Sequence, residues 1–217
     1  TEAQPALAAV DGATDDQQQW QEELHDKFHL DFEVLDSRAV DRLRTEEGFD
    51  TNPWMVHPRL ITSMDFLKQE GLKDQFLEAS RRFSQEGQSL FPGFDLLIVD
   101  EAHNLAPNAL GDDSQRTQLL RALLPCFEHR LFLTATPHNG QTRAFTGLLE
   151  LLDPVRFHQD DSFPVTAQQQ LQLVMVRRLK KEINAQSLEP RFKERHIEAI
   201  TLPAYGPGEA RLWTALR

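Results

Sequence analysis

Two apolar runs constrain the fold of this chain more than any other feature. They are FDLLIVDEAH at residues 94–103 and LFLTATP at residues 131–137. Residues 96–99, LLIV, put four apolar side chains in succession. A strand with one wet face alternates, so an unbroken run reads as a parallel strand buried on both faces. It delivers Asp100, Glu101 and His103 to the strand's end. In open parallel sheets ligands bind beyond the carboxyl ends of the strands, so these groups stand where a ligand would sit. The second run carries Thr134 and Thr136 to the end of a neighbouring strand, within reach of His103 or Asp100.

The remaining chain alternates strand and helix signals. Trp20, Leu24 and Phe28 recur at helical spacing after Asp15 or Asp16, either of which is a candidate cap. A short strand is expected over 31–36, a charged helix over 37–47 ending at Gly48, and a strand over 59–63. Helix follows over 63–88 with a break near Gly71, then a helix capped by Ser114, a strand over 129–137, and helices over 142–152 and 166–184. Residues 193–202, KERHIEAITL, alternate like an edge strand. The pattern predicts an α/β fold, a mainly parallel sheet flanked by helices. Three parts are expected: a flexible, acidic lead-in at 1–16, the main lobe at 17–165, and a closing helix, edge strand and linker start at 166–217.

Composition narrows the setting. A single cysteine, Cys126, excludes an intrachain disulfide and fits a reducing, cytoplasmic interior. No apolar run approaches the ~18 residues of a membrane span, so no membrane partner is expected. A net charge of −11 makes generic attraction to nucleic acid a poor argument; a local basic groove would have to supply it. Arg177, Arg178, Lys180 and Lys181 form such a cluster, equally readable as a solvated helix face. Trp20 reads as a core anchor, and Trp54, between prolines, as the better candidate for an exposed contact.

The chemistry of the strand end follows from its residue types. A carboxylate leaving a buried strand, Asp100, offers hard oxygen to Mg²⁺. Glu101 is placed to orient or deprotonate a water. A hydrolase binding its metal directly through Asp100, Glu101 and His103 is disfavoured, because adjacent side chains do not easily converge on one ion.

DEAH at 100–103 with TATP at 134–137 resembles motifs II and III of superfamily 2 nucleic-acid-dependent ATPases. QQWQEELHDKF at 18–28 is similar to the segment after motif Ia in Swi/Snf-type, RapA-like translocases. RLITSMDFL at 59–67 resembles their motif Ib, and VMVRRLKKEI at 174–183 their Arg-rich segment. The resemblance runs from Gln17 to the C-terminus, and the TATPHNG form looks more like prokaryotic members. It implies a RecA-like lobe and an ATP-driven motor on double-stranded DNA. In that reading Asp100 holds Mg²⁺ through water and Glu101 activates the hydrolytic water. His103, Thr134 and Thr136 couple nucleotide state to DNA, while Thr62, Ser63, Arg177 and Arg178 meet nucleic acid. Phage defence and RNA-polymerase recycling are both compatible settings.

The family pattern also requires a phosphate-binding loop, G-x-x-x-x-G-K-[ST]. No lysine here directly follows a glycine. The resemblance therefore implies an incomplete first lobe, cut after that loop and before the second RecA-like lobe. The chain alone is expected to be inactive, to bind ATP weakly or not at all, and to be prone to self-association through uncovered sheet surface. The alternative is a non-catalytic RecA-like scaffold that binds DNA or a protein partner.

Overall fold

The computed structural model describes residues 6–10, 14–86, 93–138, 140–186, 189, 191–193 and 198. Among the described residues five parallel strands form one sheet: β1 (Ala6–Val10), β2 (Glu33–Val34), β3 (Arg59–Ser63), β4 (Phe94–Val99) and β5 (Phe127–Phe132). Their spatial order is β2-β3-β1-β4-β5. All their carboxyl ends therefore lie on one edge. The register aligns Val10 with Ser63, and Ala9 with both Thr62 and Val99. Ser63 and Asp100 thus flank the end of β1. The chain crosses from β3 over β1 to β4, the kind of reversal at which α/β sheets hold ligands.

The central place of β1 corrects the expectation of a flexible lead-in at 1–16. Ala6–Val10 pairs on both sides, with β3 and with β4. A strand of small residues between two β-branched, leucine-rich neighbours takes its stability from two ladders, a tertiary effect that a short ALAAV run does not advertise. The expected strand at 193–202 and the tail at 206–217 lie largely or wholly outside the described residues.

Helices cover both faces. On one face α2 (Ser37–Glu47), α3 (Met64–Leu67), α4 (Leu72–Glu86), α5 (Gln115–Leu123) and α6 (Thr142–Leu152) bury a large core. On the other, α1 (Thr14–Phe28) packs Leu24 and Trp20 over Phe32, Ile61 and Ile98. β4 serves both faces, with Leu97 and Val99 in the larger cluster and Leu96 and Ile98 in the smaller. That is the burial its apolar run implied. Asp36 caps α2 through Ala39 N–H at 2.8 Å, and Ser114 caps α5 through Thr117 N–H at 3.1 Å, each satisfying a donor the helix leaves open.

The amino ends of the strands rest on an aromatic base. Phe76 stacks on Phe94 at 4.7 Å between centroids, Phe94 meets Phe127 at 5.4 Å, and Trp54 meets Phe76 edge-on at 5.3 Å. Trp54 is fully buried and donates its indole N–H to the Leu72 carbonyl at 3.0 Å. It is a core residue, not an exposed contact: the preceding Pro53 opens a 3-10 turn, Pro53–Met55, in which the ring is buried.

The described chain divides into two units, Thr1–Leu173 and Val174–Arg217, a boundary that falls inside the predicted closing helix. That helix is broken: α7 (Val165–Val174) and α8 (Lys180–Gln186) are separated by five non-helical residues, 175–179. In the second unit, Asn184 donates to the Phe192 carbonyl at 2.7 Å and accepts from its N–H at 2.9 Å.

Candidate active site at the carboxyl edge of the sheet

Asp100 follows β4 immediately, and its carboxylate is held from two directions. Oδ1 accepts from the Glu101 N–H at 2.8 Å, and Oδ2 accepts from the Trp20 indole N–H at 2.9 Å. An ionised carboxylate has about four lone-pair positions, so each oxygen retains one. Asp100 and Glu101 line a cleft of about 390 Å³ with Trp20, Leu24 and Phe28 of α1. Hard oxygen with free lone pairs at a cleft fits Mg²⁺ held through water.

Glu101 adopts a left-handed backbone conformation, φ 44° and ψ 43°. For a residue with a Cβ this costs energy. The conformation turns the chain out of the strand into a 3-10 turn, Ala102–Leu105, secured by Asn104 N–H to the Glu101 carbonyl at 2.9 Å. It also separates the two carboxylates. Asp100 faces Trp20, whereas Glu101 Oε2 lies 3.1 Å from His103 Nδ1. That approach becomes an ion pair only when His103 is protonated and lacks hydrogen-bond alignment, and Oε2 is shielded from solvent with no hydrogen-bond partner among the described residues.

His103 Nδ1 stands 3.0 Å from Thr134 Oγ1, so residues 31 apart in sequence meet at one point. The juncture depends on the sheet. Leu133 N–H donates to the Val99 carbonyl at 2.8 Å and Ala102 N–H to the Leu133 carbonyl at 2.9 Å, extending the β4–β5 ladder past both strands. Thr136 joins only through its backbone, whose N–H donates to Thr134 Oγ1 at 3.1 Å; its side chain is exposed.

The expected nucleic-acid contacts divide. Ser63 sits half-buried at the end of β3, its Oγ accepting from Phe66 N–H at 3.0 Å as the cap of α3. Thr62 does not fit the phosphate-contact expectation. It is fully buried, and its hydroxyl donates to the Leu35 carbonyl at 3.0 Å. Strand alternation turns it toward the large core while Ser63 faces the edge. Arg177 and Arg178 lie exposed in the second unit, on the non-helical stretch between α7 and α8. The residue that sequence reasoning missed is Trp20. Its helical stripe marked it as core; the only other signal was its place in the motif-like QW pair.

A parallel α/β lobe whose carboxyl edge joins DEAH to TATP is a RecA-like architecture. The family comparison makes the assignment specific: the SNF2-related domain model matches residues 14–202, and the chain belongs to that family. Among curated relatives, the RNA polymerase-associated protein RapA of Actinobacillus succinogenes is 35% identical over 150 residues, covering 68% of this chain and 14% of the relative. RapA of Photobacterium profundum is 34% identical over 148 residues, with the same shares. The chain thus spans about one seventh of the length of these relatives. Among solved structures, the Sulfolobus solfataricus SWI2/SNF2 ATPase core in complex with double-stranded DNA aligns over 72% of this chain and 26% of its own, at 18% identity and a TM-score of 0.43. No helix among the described residues is long and apolar enough to cross a membrane.

Proposed function

We propose that this chain is the greater part of the first lobe of an ATP-dependent translocase acting on double-stranded DNA inside a prokaryotic cell. The observation that carries the reading is the meeting of Glu101, His103 and Thr134 at the carboxyl ends of β4 and β5. A polar chain linking two strand ends, beside a carboxylate at a cleft, suits a site that must respond to a phosphate.

In this reading Asp100 holds Mg²⁺ through water, the ion supplying charge neutralisation at the phosphates when bound. Glu101, at the cleft, orients the attacking water and takes its proton. His103 sits against Glu101 and passes its position to Thr134. Through Thr134 the signal reaches the 134–137 segment, where the Thr136 N–H is already tied to the same hydroxyl. Ser63, Arg177 and Arg178 are the remaining candidates for nucleic-acid contact. Phosphate contacts position a motor without reading sequence. The grip on ATP itself requires a phosphate-binding loop and a second lobe, neither recognisable in these 217 residues. Association with RNA polymerase, which the relatives' name carries, is a further proposal for a longer protein containing this chain.

The test is ATP turnover by such a longer protein with duplex DNA, single-stranded DNA or none, beside Glu101→Gln. Duplex-stimulated turnover that the substitution abolishes is expected. A folded protein with no turnover under any condition would sink the enzymatic reading and favour a binding scaffold.

A further inference from the structure

The hydrogen bond from Trp20 to Asp100 ties α1 to the end of β4 across eighty residues of sequence. Packing alone does not call for tryptophan here. A phenylalanine ring would also offer an apolar face to Leu24, Phe32, Ile61 and Ile98. What tryptophan adds is an N–H, and in this half-buried ring it is spent on a side-chain acceptor. Its acceptor is Asp100, the carboxylate assigned above to Mg²⁺.

We propose that Trp20 is a positioning residue for Asp100, fixing the plane of the carboxylate and so setting the affinity of the site for Mg²⁺. The inference rests on the reading of Asp100 as the metal-side carboxylate. Three features support it. The indole donates only and cannot change role. Its ring is anchored by the small core, so the N–H does not swing freely. With Glu101 N–H on the other oxygen, the carboxylate is pinned at both ends while each oxygen keeps a lone pair for a metal-bound water. The arrangement also couples α1 to the site, since any displacement of that helix lengthens the bond. Trp54 provides the contrast: its N–H is spent on the backbone of Leu72, away from the carboxyl edge.

Two measurements test this. In the 217-residue chain, the indole N–H resonance that disappears in Trp20→Phe is expected to shift in Asp100→Ala, while that of Trp54 stays in place. A Trp20 resonance indifferent to Asp100→Ala overturns the clamp. In a longer protein carrying the phosphate-binding loop and second lobe, Trp20→Phe is expected to raise the Mg²⁺ concentration for half-maximal ATP turnover by about tenfold, the loss of a hydrogen bond to a charged group. The effect on kcat at saturating Mg²⁺ is expected to be smaller. Placed on Asp100→Asn, the same change is expected to add little. A folded Trp20→Phe protein with unchanged Mg²⁺ dependence overturns the positioning role; should that variant fail to fold, Trp20→Tyr takes its place. Absence of turnover in the unsubstituted protein defeats the enzymatic reading and the metal role together, whereas the resonance test still judges the clamp by itself.

Discussion

Replacing Glu101 by asparagine should make the protein more stable while removing its proposed water-activating group. Three quantities set the size of the effect. The left-handed backbone at φ 44° costs an ordinary L-residue about 1–2 kcal/mol, and asparagine, which adopts that region far more readily, recovers part of it. Glu101 Oε2 is shielded without a hydrogen-bond partner among the described residues, a defect worth about 1–3 kcal/mol at full burial, and the shorter asparagine withdraws from it. Against these stands the approach to His103. With the two side chains 31% and 45% exposed, solvent screening holds that attraction to less than about 1 kcal/mol. The net expectation is a gain of about 1 kcal/mol, or a melting temperature raised by roughly 2–4 °C for a chain of this size. Urea titration checks it, with an unchanged slope required for the comparison. Glu101→Gln is the control, since it keeps the length and much of the backbone cost and should gain less. If Glu101→Asn proves less stable than the unsubstituted protein, or no better than Glu101→Gln, the claim that strain is stored at this residue is wrong. A gain would identify Glu101 as a site where stability is given up for function.

Three further outcomes follow from the packing. A Cβ on Gly93 would stand 2.1 Å from the Ser80 backbone carbonyl, so Gly93→Ala must push α4 off β4 and should cost roughly 2–3 kcal/mol in a urea melt. Thr62→Val removes the buried hydroxyl that meets the Leu35 carbonyl and should cost about 1–2 kcal/mol. It should leave duplex affinity per folded molecule unchanged in a filter-binding or anisotropy assay, whereas Ser63→Ala is the substitution expected to weaken it. The Arg116 guanidinium, hydrogen-bonded to Asp65, holds that carboxyl below its ordinary value of 3.8, with Lys68 assisting. A depressed folded-state pKa gives stability that is present above the unfolded value and lost as pH falls through the folded one. The stability difference between Asp65→Asn and the unsubstituted protein should therefore be present at pH 7 and shrink as the pH drops below about 4.

Much of the fold was legible in the chain because its signals are local. The turn residues Gly48 and Gly71, the cap Ser114, and the apolar runs at 59–63 and 94–99 each mark an element within a few residues of themselves. The carboxylates of the site were legible for the same reason: an unbroken apolar strand ending in Asp-Glu announces where it stops. The tertiary structure decided what depends on pairing across distance. ALAAV at 6–10 is too small and short to declare itself a strand, and becomes the centre of the sheet because β3 and β4 supply ladders on both sides. Thr62 and Ser63 are indistinguishable as hydroxyls in sequence; the two-residue period of a strand sends one to the core and the other to the edge. Trp20 and Trp54 are each a tryptophan among polar or proline neighbours, yet one donates to Asp100 and the other to a core carbonyl. Apolar period tells which side of an element is buried, but the acceptor that meets an indole N–H there is set by the crossing of two elements far apart in the chain.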